Sequence, residues 1–204
     1  MAEGTPRLPG KVRKRQIVQV ALDLIANEGI QGTTMSRIAE AVGITEPSLY
    51  SHFASRKDIL VAALDLVFER ARDDLRHPEG ANVLEHLRDA ARRHGKRGPE
   101  FVYPLFEFFA APPTAGIREE VRIRHQASID LVAGMIDVGK AQGVIRPDVD
   151  SEHTAWEFFG VYWAEDVAYM IGFEEFAATG RTATMLERIL RDISAHTGDL
   201  RDCG

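Results

Sequence analysis

Residues 33–53 read TTMSRIAEAVGITEPSLYSHF, and this stretch decides the fold. Its first half places apolar residues on one helical face, behind a threonine pair suited to N-capping and before Gly43, which ends the helix. Thr45 is a second N-cap, and Pro47 falls in the first turn of the next helix, where a missing N–H is harmless. The second helix is too short to be stable alone, so its neighbours must hold it in place.

The junction between these two helices needs small residues because the turn is tight. Ala39 lets the helices approach, Gly43 permits the backbone of the turn, and Leu49 plugs the junction from the second helix. An earlier helix is predicted over residues 11–27, with Gly29 as its C-cap. This is the spacing of a helix-turn-helix, whose second helix enters the DNA major groove.

The face of the short helix opposite Leu49 carries groups suited to DNA. Hydroxyls and an imidazole can reach phosphates or base edges, a proline can contact a thymine methyl, and a carboxylate can accept from cytosine or face solvent. Flanking basic residues are predicted phosphate clamps, and the threonine pair can donate to a phosphate at its helix start. The candidate DNA-binding residues are Thr33, Thr34, Arg37, Thr45, Glu46, Pro47, Ser48, Tyr50, Ser51, His52, Arg56 and Lys57.

The charge of the chain is unevenly distributed. Over its 204 residues the net charge is −6, which taken alone argues against a nucleic-acid binder. Residues 1–57, however, contain eight Lys or Arg and five Asp or Glu, a net charge of +3, so the remainder carries −9. A basic end on an acidic body predicts that only the front of the chain meets a polyanion.

Cysteine usage and hydropathy bear on the compartment. The single cysteine, Cys203, permits no internal disulfide, which favours a reducing cytoplasm. No apolar run approaches the roughly 18 to 20 residues of a membrane span, and the N-terminal residues lack an apolar signal core. The sequence therefore predicts a cytoplasmic protein that does not enter a membrane.

The rest of the chain also has a helical pattern, without strand-like alternation of useful length. Further helices are predicted over residues 57–77, 82–93, 100–110, 116–141, 151–172 and 182–196. The predicted fold class is all-α, with about nine helices. An N-terminal three-helix bundle with the helix-turn-helix occupies residues 1–57, and a larger helical domain for ligand binding and dimerisation occupies residues 58–204.

Residues 29–60, GIQGTTMSRIAEAVGITEPSLYSHFASRKDIL, resemble the DNA-binding domain of the TetR family of bacterial transcriptional regulators. The resemblance covers residues 11–62 and rests on Gly29, Thr33, Thr34, Ile38, Ala39, Gly43, Leu49, Tyr50, His52, Phe53 and the basic residue at 56. Two positions depart from the family pattern. Arg56 stands where lysine is usual, and Glu46 stands where a basic or polar residue is common, which bears on the operator sequence.

This resemblance implies partners as well as a fold. It implies a homodimer whose two motifs bind successive major grooves of a palindromic operator in double-stranded DNA. It also implies a C-terminal body that binds a small-molecule effector and then releases the DNA. The stretch GVIRPDVDSEHTAWEFFGVYW, residues 143–163, looks like the entry to the dimerising helices of the family.

Aromatic residues crowd the part of the chain after residue 67 and could line a ligand cavity or fill a core. As a group they favour an apolar pocket with a few polar anchors, and the acidic body would tolerate a cationic ligand. The candidate ligand-binding residues are Phe68, Tyr103, Phe106, His125, Phe159, Tyr162 and Trp163. Wide apolar faces on the last two predicted helices would be buried in a four-helix bundle made from two copies.

Catalytic and metal motifs are missing from the sequence. It contains no HExxH, phosphate-binding glycine loop, CxxC or serine elbow, so an enzyme is not predicted. His153 and Glu157 have metal-ligand spacing, but two ligands do not make a site, and no metal or cofactor is predicted. The predicted function is a DNA-binding transcriptional regulator, a repressor released by a small molecule. An activator or a ligand-independent DNA-binding protein of the same build remains an alternative.

Overall fold

The computed structural model describes residues 9–73, 75–76, 81–94, 99–173 and 175–195, and its regular elements there are helical. Helices α1 to α10 span Gly10–Gly32, Met35–Val42, Glu46–Tyr50, Arg56–Asp73, Val83–His94, Pro99–Phe109, Arg118–Ala141, Ser151–Met170, Glu175–Ala178 and Arg181–Ile193. A 3₁₀ turn at Pro113–Ala115 precedes α7. The all-α prediction is confirmed, and the single-turn α9 is an addition to it. Cys203 lies outside the described residues.

The helices form two compact units. Unit 1 draws on the described residues within Met1–Glu69 and Gly98–Arg124, and unit 2 on those within Arg70–Arg97 and His125–Gly204. Unit 1 therefore contains the helix-turn-helix together with α6, an element far from it in sequence. Within the described parts of the chain, no helix is both long and apolar enough to cross a lipid bilayer.

Helix α1 does not end at its predicted C-cap. Gly29 has φ +73° and ψ 169°, a conformation outside the helix that essentially only glycine adopts, and helical backbone resumes as far as Gly32. The predicted cap is therefore a kink. The final turn of α1 runs in a new direction toward the start of α2.

The core of unit 1 joins the first four helices. Its buried members are Ile17, Ala21, Ile38, Ala39, Val42, Leu49 and Ile59, with Val20, Leu24, Met35, Ile44 and Phe53 packed around them. Helix α3 contributes one buried residue, Leu49, whose burial stabilises by about 1.5–3 kcal/mol. Helix α6 packs along α1, and Arg124 at the start of α7 donates to Asp65 of α4 at 2.6 Å.

Unit 2 has a larger apolar core built from α5, α7, α8 and α10. Its members include Leu87, Val132, Ile136, Phe158 and Leu190, all buried. At the edge of this core Arg88 of α5 makes a two-pronged ion pair with Glu187 of α10, at 2.8 and 3.1 Å. These contacts fix α5 against α10 within unit 2.

Candidate nucleic-acid interface

Helix α2 is defined by a cap at each end. The hydroxyl of Thr34 accepts a hydrogen bond from the backbone N–H of Arg37 at 3.2 Å, which starts the helix. Gly43 ends it in the left-handed conformation, with φ +73° and ψ 37°. The next N–H, that of Ile44, donates back to the carbonyl of Ala39 at 3.0 Å. The turn predicted from Ala39 and Gly43 is therefore present, and these two residues help to form it.

Helix α3 begins immediately after this turn and has two unlike sides. The hydroxyl of Thr45 accepts from the N–H of Ser48 at 3.3 Å, and Pro47 stands in the first turn. Leu49 is fully buried, whereas the adjacent Tyr50 is 51% exposed. The buried side anchors the helix, and the opposite side is available to a partner.

Most of the predicted DNA-binding residues lie on this available side or beside it. The exposed ones are Thr34, Arg37, Thr45, Glu46, Pro47, Tyr50, Ser51 and Lys57, and Ser48 and His52 are half-buried. They present hydroxyl, imidazole, phenol and ammonium groups together with one carboxylate. Such groups can make non-covalent contacts with phosphates and base edges.

Thr33 does not lie at the surface, where a contact with phosphate was predicted. It is fully buried, and its hydroxyl donates to the carbonyl of Gly29 at 2.9 Å. Because this hydroxyl is committed inside the protein, the side chain supports the kinked end of α1 and does not face a phosphate.

Arg56 is likewise directed into the protein. Its Nε donates to the carbonyl of Thr33 at 2.6 Å, and a terminal guanidinium nitrogen donates to the carbonyl of Ile30. Ile30 belongs to the last turn of α1 and Thr33 is its C-cap, and a helix leaves the carbonyls at this end without partners of its own. Arg56 therefore fastens α4 to the end of α1, and its expected role as a phosphate clamp does not match this geometry.

Arg37 forms ion pairs with two carboxylates. Its guanidinium lies 2.6 Å from Glu28 and 2.8 Å from Glu40. Hydrogen bonds to these carboxylates raise the pKa of Arg37 above its ordinary value. A phosphate would therefore have to compete with both acids for this side chain.

Lys14 lies beside the candidate interface and was absent from the residues predicted from the sequence. Its exposed ammonium lies 5.4 Å from the ring centroid of Phe53, just after α3, and Lys11 and Arg15 are exposed on the same helix. The cation–π contact holds positive charge beside the motif. The positive charge of this segment is visible in the sequence, but only the fold brings Lys14 next to Phe53.

Known proteins are similar to this chain in sequence and in fold. A model of the family described as "Bacterial regulatory proteins, tetR family" matches residues 17–63. The HTH-type transcriptional repressor KstR2 of Mycolicibacterium smegmatis is 36% identical over 173 residues, covering 74% of this chain and 75% of that protein. The chain belongs to the TetR family. It is a DNA-binding transcriptional regulator and not an enzyme.

Solved structures agree with this assignment of the TetR fold. A TetR transcription regulator from Haloarcula marismortui superposes with a TM-score of 0.73 at 21% identity, covering 90% of this chain and 99% of that one. AibR, in complex with isovaleryl coenzyme A and operator DNA, superposes with a TM-score of 0.60 at 23% identity, covering 90% and 98%.

Unit 2 of this TetR-family chain contains an aromatic cluster built from four of the predicted ligand-binding residues and one other. His125 of α7 stacks against Trp163 of α8 with ring centroids 4.9 Å apart and meets the edge of Phe159 at 5.2 Å. Phe159 in turn lies 6.1 Å from Tyr162, and Trp156 lies 5.6 Å from His125. Burial lowers the pKa of His125, which favours the neutral imidazole.

His94 extends this cluster on its buried side. Its ring stacks on Tyr162 at 4.0 Å, and its Nε2 lies 3.3 Å from a carboxylate oxygen of Asp166. Helix α5 continues through His94, one residue beyond the predicted range 82–93, and His94 is 5% exposed.

The other predicted ligand-binding residues lie in unit 1. Phe68 is buried in α4, Tyr103 on α6 is 40% exposed, and Phe106 makes an edge contact with Phe109 at 5.6 Å. The seven candidates are therefore divided between the two units, and only His125, Phe159, Tyr162 and Trp163 form a continuous set of ring contacts.

A separate cleft of about 360 Å³ lies between α5 and α10 in unit 2. It is lined by Arg88, Ala91, Arg92, Ala183, Thr184, Glu187, Leu190 and Arg191, and none of the predicted ligand-binding residues is among them. His153 and Glu157, the pair with metal-ligand spacing, lie 3.7 Å apart on an exposed face. In the described ranges no group of three metal-type ligands comes together.

Proposed function

We propose that this regulator is a repressor which binds a palindromic operator as a homodimer in the cytoplasm and is released from it by a small molecule. The observation that carries the proposal is the exposed polar face of α3, held by the buried Leu49 behind it. A helix presented in this way fits the recognition helix of a helix-turn-helix.

Operator reading is assigned to α3 and the residues beside it. Thr45, Glu46, Pro47, Ser48, Tyr50, Ser51 and His52 would face base edges or nearby phosphates, with Thr34, Lys57 and Lys14 on the flanks. Arg37 would join them only after leaving its carboxylate partners. In the same proposal, Thr33 and Arg56 hold the end of α1 and make no DNA contact.

Dimerisation is assigned to an apolar stripe on α8. Trp156 and Val167 of this helix fall on one side together with Ile171, which follows its last residue, and these three are 41%, 39% and 65% exposed. Met185 of the neighbouring α10 is 39% exposed. A second copy of the chain is the proposed occupant, because an isologous contact along these helices gives the two-fold symmetry that a palindrome requires.

The effector is assigned to the aromatic cluster of His125, Phe159, Tyr162 and Trp163. Aromatic walls with a few polar groups suit a small, largely apolar molecule. The similarity to AibR, which is described in complex with both isovaleryl coenzyme A and operator DNA, fits a regulator that binds a small molecule as well as DNA.

Operator binding is tested by fluorescence anisotropy with the DNA upstream of the protein's own gene and an unrelated duplex as control. Nanomolar affinity confined to one palindromic segment, falling steeply with salt, is the expected result. Equal and weak affinity for both duplexes contradicts the proposal. A promoter reporter then separates repression from activation by the sign of the change on deletion of the protein.

Effector binding has a built-in reporter. The sequence contains two tryptophans, Trp156 and Trp163, and both stand in the aromatic cluster. A compound that binds there is expected to change the intrinsic fluorescence and to release the operator over the same concentration range. Release without a fluorescence change would place the effector elsewhere.

A further inference from the structure

We propose that Glu107 of α6 is a positioning residue for operator binding, because it holds the kinked end of α1 and thereby the start of α2. The inference rests on the operator binding proposed above, which it extends to a residue outside the DNA-facing surface. All the residues that carry the argument lie in unit 1.

The central contact joins residues far apart in sequence. A carboxylate oxygen of Glu107 accepts a hydrogen bond from the backbone N–H of Ile30 at 2.9 Å, across a separation of 77 residues. The kink at Gly29 starts a new helical turn, and the first N–H groups of a helical segment have no partner within it. Glu107 therefore acts as an N-cap supplied by another helix.

The backbone at the kink is shaped to admit this carboxylate. A Cβ added to Gly29 would lie 3.1 Å from the Glu107 oxygen, and the φ of +73° is one that residues with side chains rarely adopt. Glycine at this position therefore serves the close approach of α6 as well as the bend of α1.

A guanidinium group holds the same residue, Ile30, through its carbonyl oxygen. Arg56 at the start of α4 donates to the carbonyls of Ile30 and Thr33, while Glu107 accepts from the N–H of Ile30. Hydrogen bonds that involve a charged group are stronger than neutral ones. The last turn of α1 is thus fixed by α4 and α6 together.

The fixed turn leads directly into the DNA-binding motif. Thr33 ties back to Gly29, and the next residue, Thr34, is the N-cap of α2. Helix α3 follows α2 after the Gly43 turn. Movement of the last turn of α1 would therefore shift the start of α2 and the recognition helix with it.

The test compares two substitutions of nearly equal size. Glu107→Gln removes the charge and keeps an oxygen acceptor, whereas Glu107→Met removes both. For Glu107→Met we expect roughly tenfold faster amide hydrogen exchange in peptides within residues 30–53, roughly tenfold weaker operator binding, and unchanged exchange in unit 2. For Glu107→Gln we expect exchange and operator affinity close to those of the wild type.

Three outcomes would overturn the proposal. If residues 30–53 of the Glu107→Met variant exchange at the wild-type rate, the contact between Glu107 and Ile30 does not hold the end of α1 in place. Faster exchange throughout the protein would show a general loss of stability. Tighter operator binding by both variants would show that Glu107 acts only by repelling phosphate. If the wild type recognises no operator, the proposed function fails, while the exchange comparison still decides whether Glu107 positions the motif.

Discussion

Replacement of Leu49 by alanine tests how α3 is held. Leu49 is fully buried, and it is the one buried residue of a five-residue helix. Truncating a buried leucine costs the transfer of its methyl groups from water and leaves a cavity, together about 3 kcal/mol. With an m-value of about 1.5–2 kcal/mol/M in urea, the unfolding midpoint of unit 1 should fall by about 1.5–2 M.

The assay is urea unfolding followed by two signals. Far-UV circular dichroism reports the helices of both units, while tryptophan fluorescence reports unit 2, since Trp156 and Trp163 both lie on α8. In Leu49→Ala the dichroism should lose part of its amplitude at lower urea, before the fluorescence changes. Operator affinity should fall as well, because a detached α3 cannot enter the groove.

Leu49→Met is the matched control, because it conserves volume and should cost under about 1.5 kcal/mol. The reasoning is refuted if Leu49→Ala unfolds at the wild-type midpoint by both signals. It is refuted equally if the two variants lower the dichroism midpoint by the same amount, since the loss would then not depend on the cavity.

Four further predictions follow from the same structure. Tyr50→Ala should weaken operator binding by about 1–3 kcal/mol with the dimer and the unfolding midpoint unchanged, and an unaltered anisotropy titration would remove Tyr50 from the interface. Lys14→Ala should weaken binding to all duplexes alike and reduce the salt slope by about one, whereas a sequence-selective loss would assign it base contacts. Gly29→Ala should lower the urea midpoint of unit 1 through a strain of about 1–3 kcal/mol, and a wild-type midpoint would argue against the kink. Burial lowers the pKa of His125 below its ordinary 6.5, so the folded protein favours the neutral imidazole. The contribution of this neutral form to the free energy of unfolding should be complete above about pH 6.5 and should decline as the pH falls below it. His125→Phe should flatten this decline, measured by urea unfolding at about pH 7.5 and 5.5, and an unchanged slope would show that another group titrates.

The helix-turn-helix was predictable because its signals are local. Thr34 and Thr45 cap the helices that follow them, Gly43 takes the left-handed turn, and Leu49 is the buried plug. Each of these residues acts on neighbours within a few positions, so the sequence pattern alone identifies the role. The exposed face of α3 then follows from which residue is buried.

The contacts of Glu107 and Arg56 at the end of α1 could not be predicted, because they join residues that are far apart in sequence. Glu107 and Ile30 are brought together only by the packing of α6 on α1, and no pattern in a single sequence marks such a pair. Arg56 and Arg37 illustrate the same limit, since a basic residue near the motif can face phosphate or bind protein acceptors. Here both guanidinium groups have acceptors within the protein.

The sequence predicted a group of aromatic residues but not the arrangement of their rings. Their composition indicated a pocket or a core, whereas the ring contacts of His125, Phe159, Tyr162 and Trp163 depend on α7 and α8 lying together in unit 2. The buried stack of His94 on Tyr162 lay outside the prediction because its basic neighbours resemble a surface loop.

The central claim is that two copies of α3 read two half-sites one helical turn apart. It is tested most directly by locating the operator through footprinting upstream of the gene and inserting five base pairs between its half-sites. The insertion moves one half-site by about 17 Å and rotates it by about half a turn. A dimer that reads both half-sites is expected to lose at least about a hundredfold in affinity, toward the non-specific level. Unchanged affinity for the lengthened operator would contradict it.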